Sequence, residues 1–409
     1  MVSGAALVAQ RLAEGMVRRG HSVLVMAASD RGQGYEQIEA GVRVVRLRAH
    51  RNPARVGQHF VVWPGTAVAQ QLRAFRPDVI HLHDPLQLGL AGVRIGRELR
   101  TPVVVTMHAM PTLAAAYAPA VPGLRWVIGT LAWAYGRWLN QFCQGLVVPS
   151  RVMGELITHT TGLQADVIGN GVDLERFAPH PTSAGEGAAL RRQYGLDPHL
   201  PIVLYVGRLD IEKRAEIVVR AAAELLRAGR AQLVLAGDGH QRGLLERLSA
   251  RLGIAAQAHF TGFVPVGGTL PGLYRLASAF AIASEVETQG VAVLEAAASG
   301  LPVVTVRATA MPELVEEGVT GHLVAPGDFA AMGARLGDLL AQPRRASAMG
   351  LAGREKMARD HSHTHTLELH DQLYAAAGAR LNAATGRAPR PADRAGVPAH
   401  AESGDEWGV

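Results

Sequence analysis

The chain has 409 residues, of which 48% are hydrophobic and 19% charged, and it carries a net charge of +6 at pH 7. This length predicts two or three domains, and no stretch approaches the roughly 18 uninterrupted apolar residues of a membrane-spanning helix. The single cysteine, Cys143, excludes an internal disulfide framework and favours a reducing, cytoplasmic location. The basic charge favours phosphates or an anionic membrane face as partners, and the lack of basic runs interleaved with aromatic residues argues against nucleic acid.

The first half of the chain alternates predicted helices and strands. Helical spacing covers residues 4–19 and ends at Gly20. Short apolar strands are predicted at 22–28, 42–48, 77–83, 102–108 and 144–150. Such alternation predicts a parallel sheet with helices on both faces. Ligands of these sheets collect beyond the carboxyl ends of the strands, where His83, His108 and Ser150 fall.

The start of the chain departs from the usual order of a doubly wound lobe. Such a lobe opens with a strand, whereas "MVSGAALVAQ" begins at the turn before the first helix. The first N-terminal strand is therefore predicted to be missing, which would leave backbone groups unpaired. We expect the natural product to start upstream of Met1.

A second alternating series follows a polar, Gly-rich stretch. Its strands are predicted at 201–207, 231–237, 258–264, 279–284 and 301–306. The fold class is therefore α/β, with two Rossmann-like doubly wound lobes and a cleft between them. The predicted division is an N-terminal lobe at 1–178, a linker at 179–199, a C-terminal lobe at 200–357 and a disordered tail at 380–409, with helix 358–378 returning to the first lobe.

Two cations follow the first strand of the second lobe in "YVGRLDIEKR". Arg208 and Lys213 precede a predicted helix, whose free N–H groups and dipole add to their charge. A pyrophosphate would suit this site, with Arg208 as a planar fork and Lys213 as a point charge. A solvated surface pair is the alternative interpretation.

Two carboxylates lie eight positions apart in "SEVETQGVAVLEAAASGLPVV". Glu287 falls on the loop after a strand, and Glu295 in the following helix, so both can face one cleft. Amides near Gly290 and Val291 are free at the helix start and face the same place. The alternative is that each glutamate only complements the helix dipole.

These motifs, with "PSRVMGELI", "NGVDLERFAP" and "PELVEEGVTGHLVAPGD", resemble the retaining glycosyltransferases of family 4, also called glycosyl transferases group 1. The resemblance covers residues 3–378 and implies the GT-B architecture. It implies that Arg208 and Lys213 hold the diphosphate of a sugar nucleotide. It also implies that Glu295 binds the ribose hydroxyls and that Glu287 contacts the hydroxyls of the transferred sugar.

The resemblance assigns the remaining donor contacts. Amides around Gly290 and Val291 would complete the phosphate cradle, and Val264 falls where the family borders the base. His108 matches a histidine near the anomeric centre, and Gly4 matches the Gly-rich loop near the phosphates. Gln289 replaces an aromatic residue found in many relatives.

The implied reaction is transfer of a sugar from UDP or GDP with retention, to a lipid, an oligosaccharide or a small molecule. No Asp-x-Asp motif occurs, so no metal and no other cofactor is expected. A sugar-nucleotide epimerase and a non-catalytic two-lobed binding protein are the alternatives. A glycosidase with the two glutamates as acid and base would leave the phosphate site unused.

Peripheral contact with the inner membrane face is a further expectation. The segment "RWVIGTLAWAYGRWLNQF" at 125–142 holds three of the five tryptophans. Because Trp126, Trp133 and Trp138 do not share one helix face, partial burial against the N-terminal sheet is predicted for this segment rather than insertion into a membrane.

Overall fold

The computed structural model describes residues 4–51, 59–109, 123–180, 183–265 and 267–386. These residues form two α/β lobes, as the sequence predicts. None of the helices in the described ranges combines the length and the hydropathy that crossing a bilayer requires.

The C-terminal lobe is built on one parallel sheet of six strands. In spatial order the strands are Ala258–Gly262, Gln232–Ala236, Ile202–Val206, Ala279–Ala281, Val303–Val306 and Gly321–Val324. In chain order Ile202–Val206 is the first strand of this lobe. It pairs with the second strand of the lobe on one side and with the fourth on the other, so the strand order reverses at this point. Ligands of doubly wound sheets bind at such a switch point. The loops after Ile202–Val206 and Ala279–Ala281 therefore frame the expected ligand crevice.

Helices cover both faces of this sheet. They are Ala184–Gln193, Ala215–Arg227, Arg242–Arg251, Leu270–Leu276, Val291–Ala298, Met311–Leu314, Phe329–Ala341 and Pro343–Asp360, with a 3-10 turn at Ile211–Lys213. The helix that carries Glu295 packs closely against Pro343–Asp360, where the α-carbon of Gly350 lies against the carbonyl of Gly300. The small residues that follow Glu295 are buried and permit this approach.

The described strands of the N-terminal lobe fall into separate sheets. Leu24–Ala28, Val42–Leu47 and Tyr35–Glu39 form one sheet, in that order, and Ile80–Leu82, Val103–Thr106, Gly145–Val148 and Asp166–Val167 form a parallel one. His50–Arg51 and His59–Phe60 form a small antiparallel pair. No pairing joins the first two sheets within the described ranges, although they share one hydrophobic core.

The helices of this lobe surround the sheets, and the last helix of the chain returns to it. They are Gly4–Arg18, Gly65–Phe75, Gln87–Leu99, Leu124–Asn140, Arg151–Thr161 and, from the chain end, His363–Thr385. In that last helix, Leu373 and Ala377 pack against Val104 and Val147 of the parallel sheet.

Two predicted segments differ from the structure. The linker predicted at 179–199 contains the helix Ala184–Gln193, because Ser183 caps its start and Leu190, its single large apolar side chain, is buried. The tail was predicted to be disordered from residue 380, which is wrong for its first residues because His363–Thr385 continues through them. Residues 387–409 of that tail lie outside the described residues.

Candidate active site

The two loops at the switch point bring a predicted cation and a predicted carboxylate into direct contact. Lys213 ends the 3-10 turn after Ile202–Val206, and Glu287 lies on the loop after Ala279–Ala281. Lys213 Nζ donates a hydrogen bond to Glu287 Oε1 at 2.6 Å. The backbone N–H of Glu287 donates to Thr309 Oγ1 at 3.1 Å, which holds this loop in place. The two side chains therefore lie in one partly buried crevice.

Arg208 lies beside the same crevice, but acidic neighbours engage its guanidinium. It forms ion pairs with Asp210 and Glu212, and Tyr205 Oη donates to the Arg208 carbonyl at 2.9 Å. Asp210 also accepts a hydrogen bond from the backbone N–H of His240 at 3.2 Å. The predicted anion site is thus a mixed cluster in which carboxylates offset part of the positive charge.

The helix Val291–Ala298 begins beside this cluster. Gly290 caps it with φ of 89°, a left-handed conformation that favours glycine, and a side chain there would begin 2.5 Å from Met311 Cε. The first N–H groups of a helix have no partner within the helix. The predicted amides at Gly290 and Val291 therefore lie where the helix dipole favours an anion.

Glu295 is buried and engaged by a residue that the sequence did not single out. Arg11, on the first helix of the N-terminal lobe, donates from Nη2 to Glu295 Oε1 at 2.7 Å, and Tyr274 Oη donates to Oε2 at 3.1 Å. Burial raises the pKa of the Glu295 carboxyl, and Arg11 and Tyr274 oppose this shift. Only 3% of Glu295 is exposed. An ion pair therefore crosses the cleft at the predicted ribose site.

His108 lies beyond the strand Val103–Thr106, on the opposite side of the cleft. Its Nε2 is 2.7 Å from Nδ1 of His83, the residue that follows the neighbouring strand. Burial, with a further contribution from His370, lowers the pKa of His108 to about 4. The imidazole is therefore neutral at neutral pH, with one ring nitrogen committed to His83.

Four further hydrogen bonds cross between the lobes, and one of them joins His108 to the loop of Glu287. Thr288 Oγ1 donates to the His108 carbonyl at 3.0 Å. Gln289 Oε1 accepts from the backbone N–H of Asn170 at 2.7 Å. Glu313 accepts from the N–H groups of Arg151 and Val152 at the start of helix Arg151–Thr161. No local sequence pattern indicates these contacts, because their partners are more than a hundred positions apart.

A histidine array lies behind His108. His81 bridges Tyr374 Oη at 2.8 Å and Thr106 Oγ1 at 2.6 Å, and its ring packs on His83. His370 lies beside it in the C-terminal helix. Burial lowers the pKa of His81 and His83 well below the ordinary value, and neighbouring imidazoles add to the effect.

Two predicted site residues are not brought into this cluster. Gly4 is exposed at the first turn of its helix, and a side chain there would meet no atom within 4 Å. Val264 is buried in the core of the C-terminal lobe after Ala258–Gly262. Within the described ranges, no three His, Cys, Asp or Glu side chains are arranged to hold a metal ion.

Comparison with known families covers both lobes. The model described as Glycosyltransferase Family 4 matches residues 2–176, and Glycosyl transferases group 1 matches residues 188–356. A GDP-mannose-dependent alpha-mannosyltransferase of Mycolicibacterium smegmatis is 34% identical over 352 residues, which cover 85% of this chain and 87% of that protein. The sulfoquinovosyl transferase of Arabidopsis thaliana is 29% identical over 364 residues, covering 88% and 68%.

Solved structures share the fold. Anabaena HepE in complex with UDP-glucose has a TM-score of 0.73 at 20% identity, covering 92% of this chain and 97% of that one. Sucrose-phosphate synthase from Thermosynechococcus elongatus has a TM-score of 0.72 at 22% identity, covering 91% and 93%.

Two Rossmann-like lobes that face each other across a cleft define the GT-B class of glycosyltransferases. The chain belongs to glycosyltransferase family 4, as its motifs predicted. It is therefore an enzyme that transfers a sugar.

Proposed function

We propose that the protein transfers a hexosyl group from a nucleoside-diphosphate sugar to an acceptor, with retention at the anomeric carbon. The observation that supports this most is the convergence of Lys213, Glu287 and the start of helix Val291–Ala298 at the switch point, opposite His108. UDP and GDP are both candidate nucleotides, because similar proteins are described with GDP-mannose and with UDP-glucose.

The diphosphate binds at the N-terminus of helix Val291–Ala298. Lys213 exchanges its contact with Glu287 for a phosphate oxygen, and Arg208 supports the other phosphate from its acidic cluster. As the glycosidic bond breaks, negative charge grows on the leaving phosphate, and the lysine and the helix amides stabilise it. No protein nucleophile is assigned.

The transferred sugar lies between Glu287 and His108. Glu287, released by Lys213, accepts hydrogen bonds from sugar hydroxyls. His108 is neutral and has Nε2 committed to His83, so it presents Nδ1 to the sugar as a hydrogen-bonding group rather than as a cation.

Donor binding is coupled to separation of the lobes. Glu295 reaches the ribose hydroxyls only when the contact with Arg11 loosens, since both of its oxygens are engaged and its side chain is buried. Val264 borders the base, and Gly4 approaches the phosphates after the lobes rearrange around the donor.

A panel of UDP- and GDP-sugars, each with and without a panel of acceptors, tests the proposal. Release of nucleoside diphosphate that depends on an acceptor, with a product of unchanged anomeric configuration by NMR, is the expected result. Donor isomerisation without an acceptor would favour the epimerase, and an inverted product would exclude retention.

A further inference from the structure

The helix Leu124–Asn140 exposes an apolar surface that the described residues of the N-terminal lobe leave uncovered. Trp126 is 72% exposed, Leu131 64% and Trp138 47%, and Val127 is also exposed. Only Gly129 and Leu139 are buried in this helix. The sequence predicted partial burial of its tryptophans, which is correct for Trp133 and wrong for Trp126. Large exposed apolar patches on a folded protein commonly mark sites that bind another protein or a membrane.

The exposed half of this helix projects from the edge of the sheet that carries His108. Tyr135 Oη donates to the carbonyl of Pro85, and Gly136 lies against Met107, so this level of the helix meets the carboxyl ends of two strands. A helix that follows a parallel strand runs back across the sheet. The first turns of the helix, which carry Trp126, Val127 and Leu131, therefore lie beyond the level of these strand ends.

A neighbouring helix extends the apolar surface. Leu86 is 61% exposed just before helix Gln87–Leu99, and Leu90 in its first turn is also exposed. Leu90 shares a shallow groove with Trp138 and Phe142. We call this surface the apolar edge, and it consists of Leu86, Leu90, Trp126, Val127, Leu131 and Trp138.

The charges around the apolar edge are predominantly basic. Helices Gln87–Leu99 and Leu124–Asn140 contain Arg94, Arg97, Arg125 and Arg137 against one acidic residue, Glu98. Asp84 precedes them, and burial raises the pKa of its carboxyl. Arginine stems cover apolar surface while their charged ends reach outward, so this composition suits a surface that is apolar inside and anionic at its boundary.

We propose that the apolar edge docks on an anionic lipid bilayer. An exposed helix with Trp and Leu beside Arg lies in the interface between headgroups and acyl chains, and Trp is enriched at that depth. Because the helix projects from the strand ends near His108, docking turns the cleft towards the bilayer. If the proposed transfer is correct, the acceptor is therefore carried by a membrane lipid.

Vesicle flotation with the full chain tests the docking surface. Wild-type protein should float with vesicles of phosphatidylcholine and phosphatidylglycerol, and not with phosphatidylcholine alone. Trp126→Ser/Leu131→Ser should lower the bound fraction about fivefold or more, since two large apolar contacts are lost. Val319→Ser/Leu351→Ser is the matched control, because these side chains are 54% and 51% exposed on the other lobe, and it should bind as the wild type does.

The electrostatic part is tested separately. Arg94→Gln/Arg137→Gln should weaken binding to anionic vesicles by about fivefold for each charge removed. Arg344→Gln/Arg345→Gln removes two exposed arginines of helix Pro343–Asp360 and should have no effect beyond a small loss of net charge. Equal losses in the two double variants would show that overall charge, and not this surface, attracts the vesicles.

Two outcomes overturn the proposal. One is a wild-type protein that does not float with anionic vesicles. The other is a wild-type dimer that Trp126→Ser/Leu131→Ser converts to a monomer without any change in flotation, because a second copy of the chain would then cover the surface. Calorimetric binding of nucleoside diphosphate, without vesicles, tests the proposed donor site independently of docking, and acceptor-dependent release of nucleoside diphosphate tests the transfer.

Discussion

At the scale of single residues, the contact between Lys213 and Glu287 links the proposed binding site of the diphosphate to that of the transferred sugar. Lys213 and Lys356 are the only lysines in the chain. The hydrogen bond of 2.6 Å holds the side chains of Lys213 and Glu287 together before a donor arrives. A phosphate then competes with the carboxylate for the ammonium group, and the sugar hydroxyls compete with the ammonium for the carboxylate.

Lys213→Ala should weaken the binding of nucleoside diphosphate. A charged hydrogen bond contributes about 1.5–3 kcal/mol, so the Kd measured by calorimetry should rise roughly ten- to a hundredfold. Lys356→Ala is the matched control, because Lys356 pairs with Glu316 at 2.9 Å on the outer side of the same lobe. Equal affinities for the two variants would mean that the phosphate cradle is misassigned.

Glu287→Ala should depress turnover while it leaves the affinity for free nucleoside diphosphate nearly unchanged. Loss of a polar contact that strengthens in the transition state reduces kcat by about a hundredfold. Glu285→Ala, two residues earlier on the same loop and paired with Arg214 at 3.0 Å, should retain kcat. If Glu287→Ala lost nucleotide affinity as strongly as it lost turnover, this carboxylate would belong to the nucleotide site.

At the scale of elements, the close packing of helix Pro343–Asp360 against the end of helix Val291–Ala298 positions Glu295. A first side-chain carbon at Gly350 would lie 1.9 Å from the carbonyl oxygen of Gly300, whereas one at Gly353 would meet its nearest neighbour at 3.7 Å. Both glycines are buried in the same helix. An alanine at each position therefore separates the effect of the close approach of the two helices from the effect of helix propensity.

Gly350→Ala should destabilise the protein by about 1–3 kcal/mol, because the backbone of Gly300 has to move. Gly353→Ala should be neutral or should stabilise it by up to about 1 kcal/mol, since alanine is the better helix former. The free energy of unfolding in urea measures both. Equal effects of the two substitutions would show that the approach of these helices is not constrained at Gly350.

The ten predicted strands match the structure to within a few residues, because buried parallel strands are nearly continuous apolar runs. The predicted strands do not include Tyr35–Glu39, Asp166–Val167 and Gly321–Val324 of the larger sheets. The helix Ala184–Gln193 could not be predicted, since Leu190 is its single large apolar residue and its burial depends on Leu190 reaching a neighbouring element. Among the predicted site residues, Val264 shows the same limit of prediction from local sequence. Its position after Ala258–Gly262 followed from the motif order, but its burial in the core depends on packing that no local pattern encodes.

At the scale of the whole molecule, the helix His363–Thr385 contacts the N-terminal lobe through groups that titrate. His370 and Tyr374 of the last helix contact His81, which leads through His83 to His108. Burial lowers the pKa of each of these four histidines below the ordinary value of 6.5. The unfolded chain therefore binds more protons than the folded protein as the pH falls below 6.5.

The free energy of unfolding should decrease as the pH falls from 6.5 towards 5. Each imidazole with a lowered pKa removes about 1.4 kcal/mol per pH unit in this window. Urea unfolding at several pH values measures the slope. His81→Gln should make the slope shallower, while His159→Gln, at an exposed position, should leave it as in the wild type. If the free energy of unfolding of the wild type stayed constant between pH 6.5 and 5, the four histidines would be exposed to solvent rather than buried.

Contacts between the lobes were the part of the site that the sequence concealed. The candidate residues Lys213 and Glu287 follow predicted strands of the C-terminal sheet, so topology alone brings these two to one edge. His108 follows a strand of a sheet in the N-terminal lobe. Arg11 and Glu295 are 284 positions apart, and no periodicity relates them. Their pairing closes the proposed ribose site in the absence of a donor, which only the three-dimensional arrangement of the two lobes reveals.

The most direct test is a crystal structure of the protein soaked with UDP or GDP, whichever the donor panel selects. We expect electron density for the diphosphate between Lys213 and the amides of Gly290 and Val291, with Arg11 displaced from Glu295 and the ribose in its place. A nucleotide bound elsewhere, with the contacts of Lys213 with Glu287 and of Arg11 with Glu295 both intact, would contradict it.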